Sequence, residues 1–188
     1  IASQNGHSEV VSMLLAKQDV DVNQAANDGC TPLYIASHNG HSEVVSMLLA
    51  KRGVDVNQAK NNGVTPLYAA SYRGHSEVMS MLLAKQDVDV NQAANDGCTP
   101  LHIASKKGHS EVVSMLLADP RVNVNQGRDN GSTPLFIASQ QGHSEVVSML
   151  LAKQGVDVNQ AKNTGCTPLY IASQNGHSEV VSMLLAKQ

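Results

Sequence analysis

The sequence predicts an all-α solenoid, in which helix pairs stack in series and turns project from one edge. The first observation is a fixed period. Gly29, Gly63, Gly97, Gly131 and Gly165 stand 34 residues apart, and so do Gly6, Gly40, Gly74, Gly108, Gly142 and Gly176. The second is near-identity between periods: Gly-His-Ser-Glu-Val-Val-Ser-Met-Leu-Leu-Ala recurs throughout, apart from Met79 in place of Val. A unit this short cannot bury an apolar face alone, so copies must stack. The units run over residues 1–27, 28–61, 62–95, 96–129, 130–163 and 164–188, read as one array over 1–188.

Each element within a unit follows from local chemistry. Thr31-Pro32 starts a short helix, because the Thr oxygen can cap open N–H groups and Pro at the first position loses no hydrogen bond. Leu33, Ile35 and Ala36 form its apolar surface, and Gly40 ends it near Asn39. A second helix is expected from about Ser42 to Lys51. Val44, Val45, Leu48 and Leu49 form one buried stripe, which Met47 widens. Glu43 suits the positive end of that helix and Lys51 the negative end. Gly53 is a left-handed terminator. Val54 and Val56 then alternate with Asp55 and Asn57 in a strand-like arm, and Asn61-Asn62-Gly63 closes with turn chemistry.

Composition narrows the function class. The net charge is −3 and Trp is absent. No segment approaches the roughly 18 apolar residues of a membrane span, and no charged region precedes an apolar leader in the sequence given. Cys30, Cys98 and Cys166 lie two units apart. Helical layers spaced about 10 Å apart would hold the sulfurs about 20 Å apart, beyond the roughly 7 Å Cα separation a disulfide permits. Three thiols favour a reducing, intracellular or cytoplasmic compartment.

Gly-x-Thr-Pro-Leu, Gly-His-x-Glu-Val-Val and Asp-Val-Asn follow one another through the whole chain. This order resembles the ankyrin repeat, in 34-residue variant units: five near-complete ones after a truncated first. Tetratricopeptide repeats share the length, but they need large aromatics in both helices, and the second helix here has none. The resemblance implies a non-catalytic protein-binding scaffold without cofactors. It also implies an imidazole bonded to the Thr hydroxyl in Thr-Pro-Leu-His, which only His102 keeps. Tyr34, Tyr68, Phe136 and Tyr170 replace it. The turn Asp of the family is replaced by Ala26, Lys60, Ala94, Arg128 and Lys162, so a weakened network along the turns is expected. One extra residue before the Asp-Val-Asn arm implies a helix extension or a wider corner. Asp119-Pro120 is expected to stop its helix early. Asn23, Asn57, Asn91 and Asn159 resemble sites that asparaginyl hydroxylases modify in the family, from which Asn125 departs.

Repeated columns imitate chemistry. His7, His41, His75, His109, His143 and His177 recur once per unit. Metal ligands must converge within about 2.1 Å of one point, and this spacing does not allow it. Each His is expected instead to tie the second helix to its own loop. Glu9 and its equivalents read as a solvated face. No nucleophile, base and orienting acid share a site, so no catalysis is expected. Arg73, Lys106, Lys107 and Arg128 make a local basic spot, diluted by Asp96 and Asp129, and nucleic-acid binding is not expected.

Differences between units mark the candidate binding surface. They gather at the turn and at the end of the first helix, which by resemblance line the concave side where partners bind. The candidates are His38, Asn39, Asn62, Val64, Tyr72, Arg73, Asp96, Lys106, Lys107, Asn130, Gln140 and Gln141. Ser46, on the opposite face with Lys51, does not vary between units. The competing reading is a structural or self-assembling array, since near-identical units give an unbroken surface. Ile1-Ala2-Ser3 lacks its Thr-Pro start, and Val180 to Leu185 lacks a following turn. Head-to-tail association through these ends is therefore expected.

Overall fold

The structure, a computed structural model, describes residues 1–187. It divides into two compact units, Ile1–Asn95 and Asp96–Gln188. Unit 1 contains α1 (Ala2–Asn5), α2 (Ser8–Leu15), α3 (Pro32–Asn39), α4 (Ser42–Ala50), α5 (Pro66–Arg73) and α6 (Ser76–Leu83). Unit 2 contains α7 (Pro100–Lys107), α8 (Ser110–Ala118), α9 (Pro134–Gln141), α10 (Ser144–Ala152), α11 (Pro168–Gln174) and α12 (Ser178–Leu185). No strand occurs among the described residues, and the all-α expectation holds.

In unit 1 the first helices α1, α3 and α5 pack side by side, and α2, α4 and α6 form the second layer. Unit 2 repeats the plan with α7, α9 and α11 against α8, α10 and α12. The Thr-Pro starts behave as expected. Thr31 Oγ1 accepts from the Tyr34 N–H at 3.0 Å, and Thr133 Oγ1 from the Phe136 N–H at 3.1 Å. The second helices bury the expected stripe. Val44, Val45, Leu48 and Leu49 are all buried in α4, and Val146, Val147, Leu150 and Leu151 in α10. Each such side chain contributes about 1.5–3 kcal/mol relative to exposure.

Two local expectations are corrected, and one open alternative is decided. The arm forms no strand; Asx turns hold it, with the Asn57 N–H donating to Asp55 Oδ1 at 2.9 Å. Of the two forms expected for the extra residue, the structure has the corner and not the helix extension: α4 ends at Ala50, and Lys51 is already extended. Finally, Pro120 does not shorten its helix. α8 is 9 residues long, like α4 and α10. Pro120 lies past the C-cap Asp119, in a turn every unit makes there, so it meets no helix to break.

Candidate functional site

Within each unit, the candidate surface is carried by a lattice of side chains that join a repeat to the one before. His41 Nε2 lies 2.9 Å from the Gln4 carbonyl, and His75 Nε2 lies 3.2 Å from that of His38. In unit 2, His143 reaches the Lys106 carbonyl at 3.1 Å and His177 that of Gln140 at 3.1 Å. Each imidazole thus binds the end of the preceding first helix. The expectation that it ties the second helix to its own loop is corrected. The stacking brings a carbonyl 37 residues earlier into reach of Nε2.

The arm asparagines act similarly. Asn23 Nδ2 donates to the Gly53 carbonyl at 2.8 Å, while its Oδ1 accepts from the Asp55 N–H at 2.8 Å. Asn57 repeats this clasp on Asp87 and Asp89, and Asn125 on Gly155 and Asp157. A side-chain amide does what strand pairing would have done. Lysines form a third tie. Lys51 Nζ donates to the Leu15 carbonyl at 2.6 Å, Lys85 Nζ to Leu49 at 2.7 Å and Lys153 Nζ to Leu117 at 2.6 Å. Each caps the open carbonyl end of the preceding second helix. Lys51 is therefore an inter-repeat tie rather than a solvated cation of the opposite face.

The turns are better connected than expected. The Asn61 N–H donates to the Asp28 carbonyl at 3.1 Å, and Asn61 Nδ2 to that of Asn27 at 3.1 Å. The Asn95 N–H does the same to Asn62 at 3.0 Å, and the Asn163 N–H to Asn130 at 2.9 Å. The missing family Asp does not abolish the network, because the Asn two residues before the Gly supplies it.

On this frame unit 1 presents a connected group. Lys60 Nζ pairs with Asp28 Oδ2 at 2.9 Å and stands 5.3 Å from the Tyr34 ring centroid. The Lys60 hydrogen bond holds the Asp28 carboxyl below its usual range. Burial pushes the Tyr34 phenol up. Tyr34 stacks on His38 with centroids 6.1 Å apart. His38 Nδ1 lies 3.0 Å from Asn39 Oδ1, and Arg73 Nε donates to His38 Nε2 at 3.2 Å. The Arg73 guanidinium also lies 5.5 Å from the exposed Tyr72 ring. A cleft of about 660 Å³ opens beside Tyr34, Ile35, His38 and Lys60. Four predicted residues, His38, Asn39, Tyr72 and Arg73, are thus brought together. Asn39 also works internally, since its Nδ2 donates to the Gln4 carbonyl at 2.8 Å. Asn62 and Val64 are turn partners: Asn62 Oδ1 accepts from the Val64 N–H at 3.3 Å.

Unit 2 places Lys106, Lys107 and Gln141 at exposed first-helix ends, with Gln140 half-buried. Asp96 and Arg128 form an ion pair, so neither is a bare charge. Asp96 Oδ1 also accepts from the Cys98 N–H at 3.1 Å, and Asn130 Oδ1 from the Ser132 N–H at 3.0 Å. His102 is fully buried. Its Nδ1 lies 2.7 Å from Thr99 Oγ1 and accepts from the Thr99 N–H at 3.2 Å, and its Nε2 faces the Ser132 carbonyl at 2.9 Å. The Thr-His bond implied by the resemblance is present. Phe136, at the equivalent position, fills the space with hydrocarbon against Ile137 and Ile171.

Charge separates by layer. The first helices carry Arg73, Lys106 and Lys107 and no carboxylate, whereas each second helix carries one Glu in its first turn. No helix among the described residues is long and apolar enough to cross a membrane. The structure missed by sequence reasoning is the Lys51 tie, the Asn23 clasp and the Asp28–Lys60 pair. Only the clasp had a visible signal, the recurring Asp-Val-Asn.

Comparison with known proteins agrees with this geometry. A family model described as ankyrin repeats (3 copies) matches residues 1–60, 52–128 and 120–188, across both units. The crystal structure of the ankyrin repeat protein EF0377 is similar, with a TM-score of 0.90 and 29% sequence identity. That likeness covers 98% of this chain and 94% of the other. No curated protein matches.

Proposed function

Because this chain belongs to the ankyrin repeat family, whose repeats are generally protein-interaction scaffolds, we propose that it binds a partner protein through its first-helix ends and turns. One observation carries the reading. Residues that differ between units gather on that face, at Tyr72-Arg73 in unit 1 and Lys106-Lys107 in unit 2, and all four side chains are exposed. The second helices bear an exposed serine that is identical in every unit. Tyr72 offers a rigid amphipathic anchor, and the cations steer encounter. The role is non-catalytic and the setting intracellular, in keeping with the thiols Cys30, Cys98 and Cys166.

The test separates the two units. Tyr72→Ala with Arg73→Ala, and independently Lys106→Ala with Lys107→Ala, are each expected to weaken capture of a partner by at least tenfold, as hot-spot losses do. Ser46→Lys and Ser148→Lys are expected to leave it unchanged. If the serine changes weaken capture more, the face is wrongly assigned.

Exposed apolar groups favour a second reading, self-association. Ile1, Met13 and Leu14 are exposed in unit 1, and Tyr170 and Leu185 in unit 2. In interior repeats the equivalents of Leu14 and Leu185, Leu48 and Leu151, are buried. Light scattering should give a mass that rises with concentration, and Met13→Glu with Leu185→Glu should abolish the rise. Leu184 is fully buried and would unfold its own helix if charged, so Leu185 is the informative position. A constant monomer mass would refute association.

A further inference from the structure

Among the described residues, Lys162 is a turn cation that lacks the carboxylate its counterparts Lys60 and Arg128 have. Positions 28 and 60, 96 and 128, and 130 and 162 correspond through the 34-residue period. In the first pair Asp28 Oδ1 accepts from the Cys30 N–H while Oδ2 takes Lys60. In the second, Asp96 Oδ1 accepts from the Cys98 N–H while Oδ2 takes Arg128. In the third, Asn130 stands in place of Asp. Its Oδ1 is used by the Ser132 N–H, which leaves its amide nitrogen, a donor, where the others present an acceptor. Lys162 has no carboxylate partner among the described residues. Its Nζ is held 5.4 Å from the centroid of the buried Phe136 ring, which gives the ammonium a fixed platform.

We propose that Lys162 and Asn130 form a docking point for a carboxylate side chain of the partner, which supplies the acceptor that Asp28 and Asp96 supply elsewhere. This rests on the first-helix and turn face being the binding surface. It names the partner segment as acidic. Charge complementarity supports that choice: in unit 2 the first helices add Lys106 and Lys107 and no carboxylate, the glutamates Glu111, Glu145 and Glu179 lie on the other layer, and of the two acidic turn residues beside this place Asp96 is paired with Arg128 and only Asp129 offsets the cations. By correspondence with the Asp28–Lys60 and Asp96–Arg128 pairs, the Lys162 ammonium and the Asn130 amide N–H₂ would face the same place and bind a carboxylate there by charge-assisted hydrogen bonds.

The probe is a fluorescein-labelled oligo-glutamate peptide, titrated at low salt against the whole chain, with oligo-glutamine as the neutral control. Lys162→Met is expected to weaken binding about fivefold, the size of one well-made exposed ion pair. Asn130→Asp should weaken it equally, because the new carboxylate occupies Lys162 from within while removing no cation. Asp96→Asn should strengthen it, by opening a second such place at Arg128. Binding that is lost with Lys106→Glu and Lys107→Glu yet indifferent to Asn130→Asp would overturn the docking point and leave the wider reading intact. No binding of the native chain to oligo-glutamate would also overturn it. Tighter binding of an oligonucleotide of equal charge, with the same dependence on Asn130, would overturn the assignment to a protein segment.

Discussion

Gly142→Ala is expected to destabilise the chain by about 3 kcal/mol, from left-handed strain and a lost inter-repeat hydrogen bond. Gly142 ends α9 with φ 74, where a side chain is strained whatever the space. An added Cβ would also lie 2.6 Å from His177 Nδ1. The ring must move, and with it goes the 3.1 Å contact of Nε2 with the Gln140 carbonyl. Gly155 is the internal control. It has φ 83 and nothing within 4 Å of its would-be Cβ, so Gly155→Ala is expected to carry the backbone strain alone, about 1–2 kcal/mol. Urea denaturation compares the two. In the His177→Ala background the cost of Gly142→Ala should fall to that of Gly155→Ala. Equal costs for both glycines in the native background would show that the imidazole seam contributes nothing.

The second large effect is on acid stability. Burial pushes the His102 imidazole down from 6.5 to about 4. The geometry explains why the neutral form is kept: Nδ1 accepts from the Thr99 N–H, so a proton there would face a donor. The folded state thus refuses a proton that the unfolded chain accepts below about 6.5. Stability due to this group is whole above that value, declines as pH falls toward about 4, and levels off below it. The full loss is about 3 kcal/mol, and about 2 kcal/mol of it is reached by pH 5. Carboxylates titrate in the same range, so the informative quantity is the difference between the native chain and His102→Tyr. Tyr is the residue that Tyr34, Tyr68 and Tyr170 place at this position. The variant should gain on the native chain by about 2 kcal/mol between pH 7 and pH 5. Parallel stability curves would refute an imidazole held neutral.

What was legible in the sequence was local. Thr31-Pro32, Gly40 and the Val44-to-Leu49 stripe specify their helices by rules that act within one turn, and α3 begins and ends where they place it. The 34-residue period and the linked motifs carried the family. What was not legible acts between repeats. His41 and Lys51 find partners 37 and 36 residues earlier, Gln4 and Leu15. Which carbonyl each reaches depends on how far one repeat is translated and rotated on the next, and periodicity does not contain that. The same holds for Lys60 and Arg128. Read alone they are surface cations, but stacking sets each against an Asp of the preceding turn. Pro120 misled for the opposite reason. Its helix-breaking chemistry is real, but the corner had already ended the helix.

The central claim is that first-helix ends and turns are the working surface and that the second helices serve as its backing. Amide hydrogen exchange on the chain with and without a captured partner tests it most directly. Protection on binding is predicted at the turns and at the ends of α3 and α5 in unit 1, and of α7 and α9 in unit 2, with α4, α6, α8 and α10 unchanged. Protection centred on the exposed serines and glutamates of those second helices, with the first-helix ends unchanged, would contradict it.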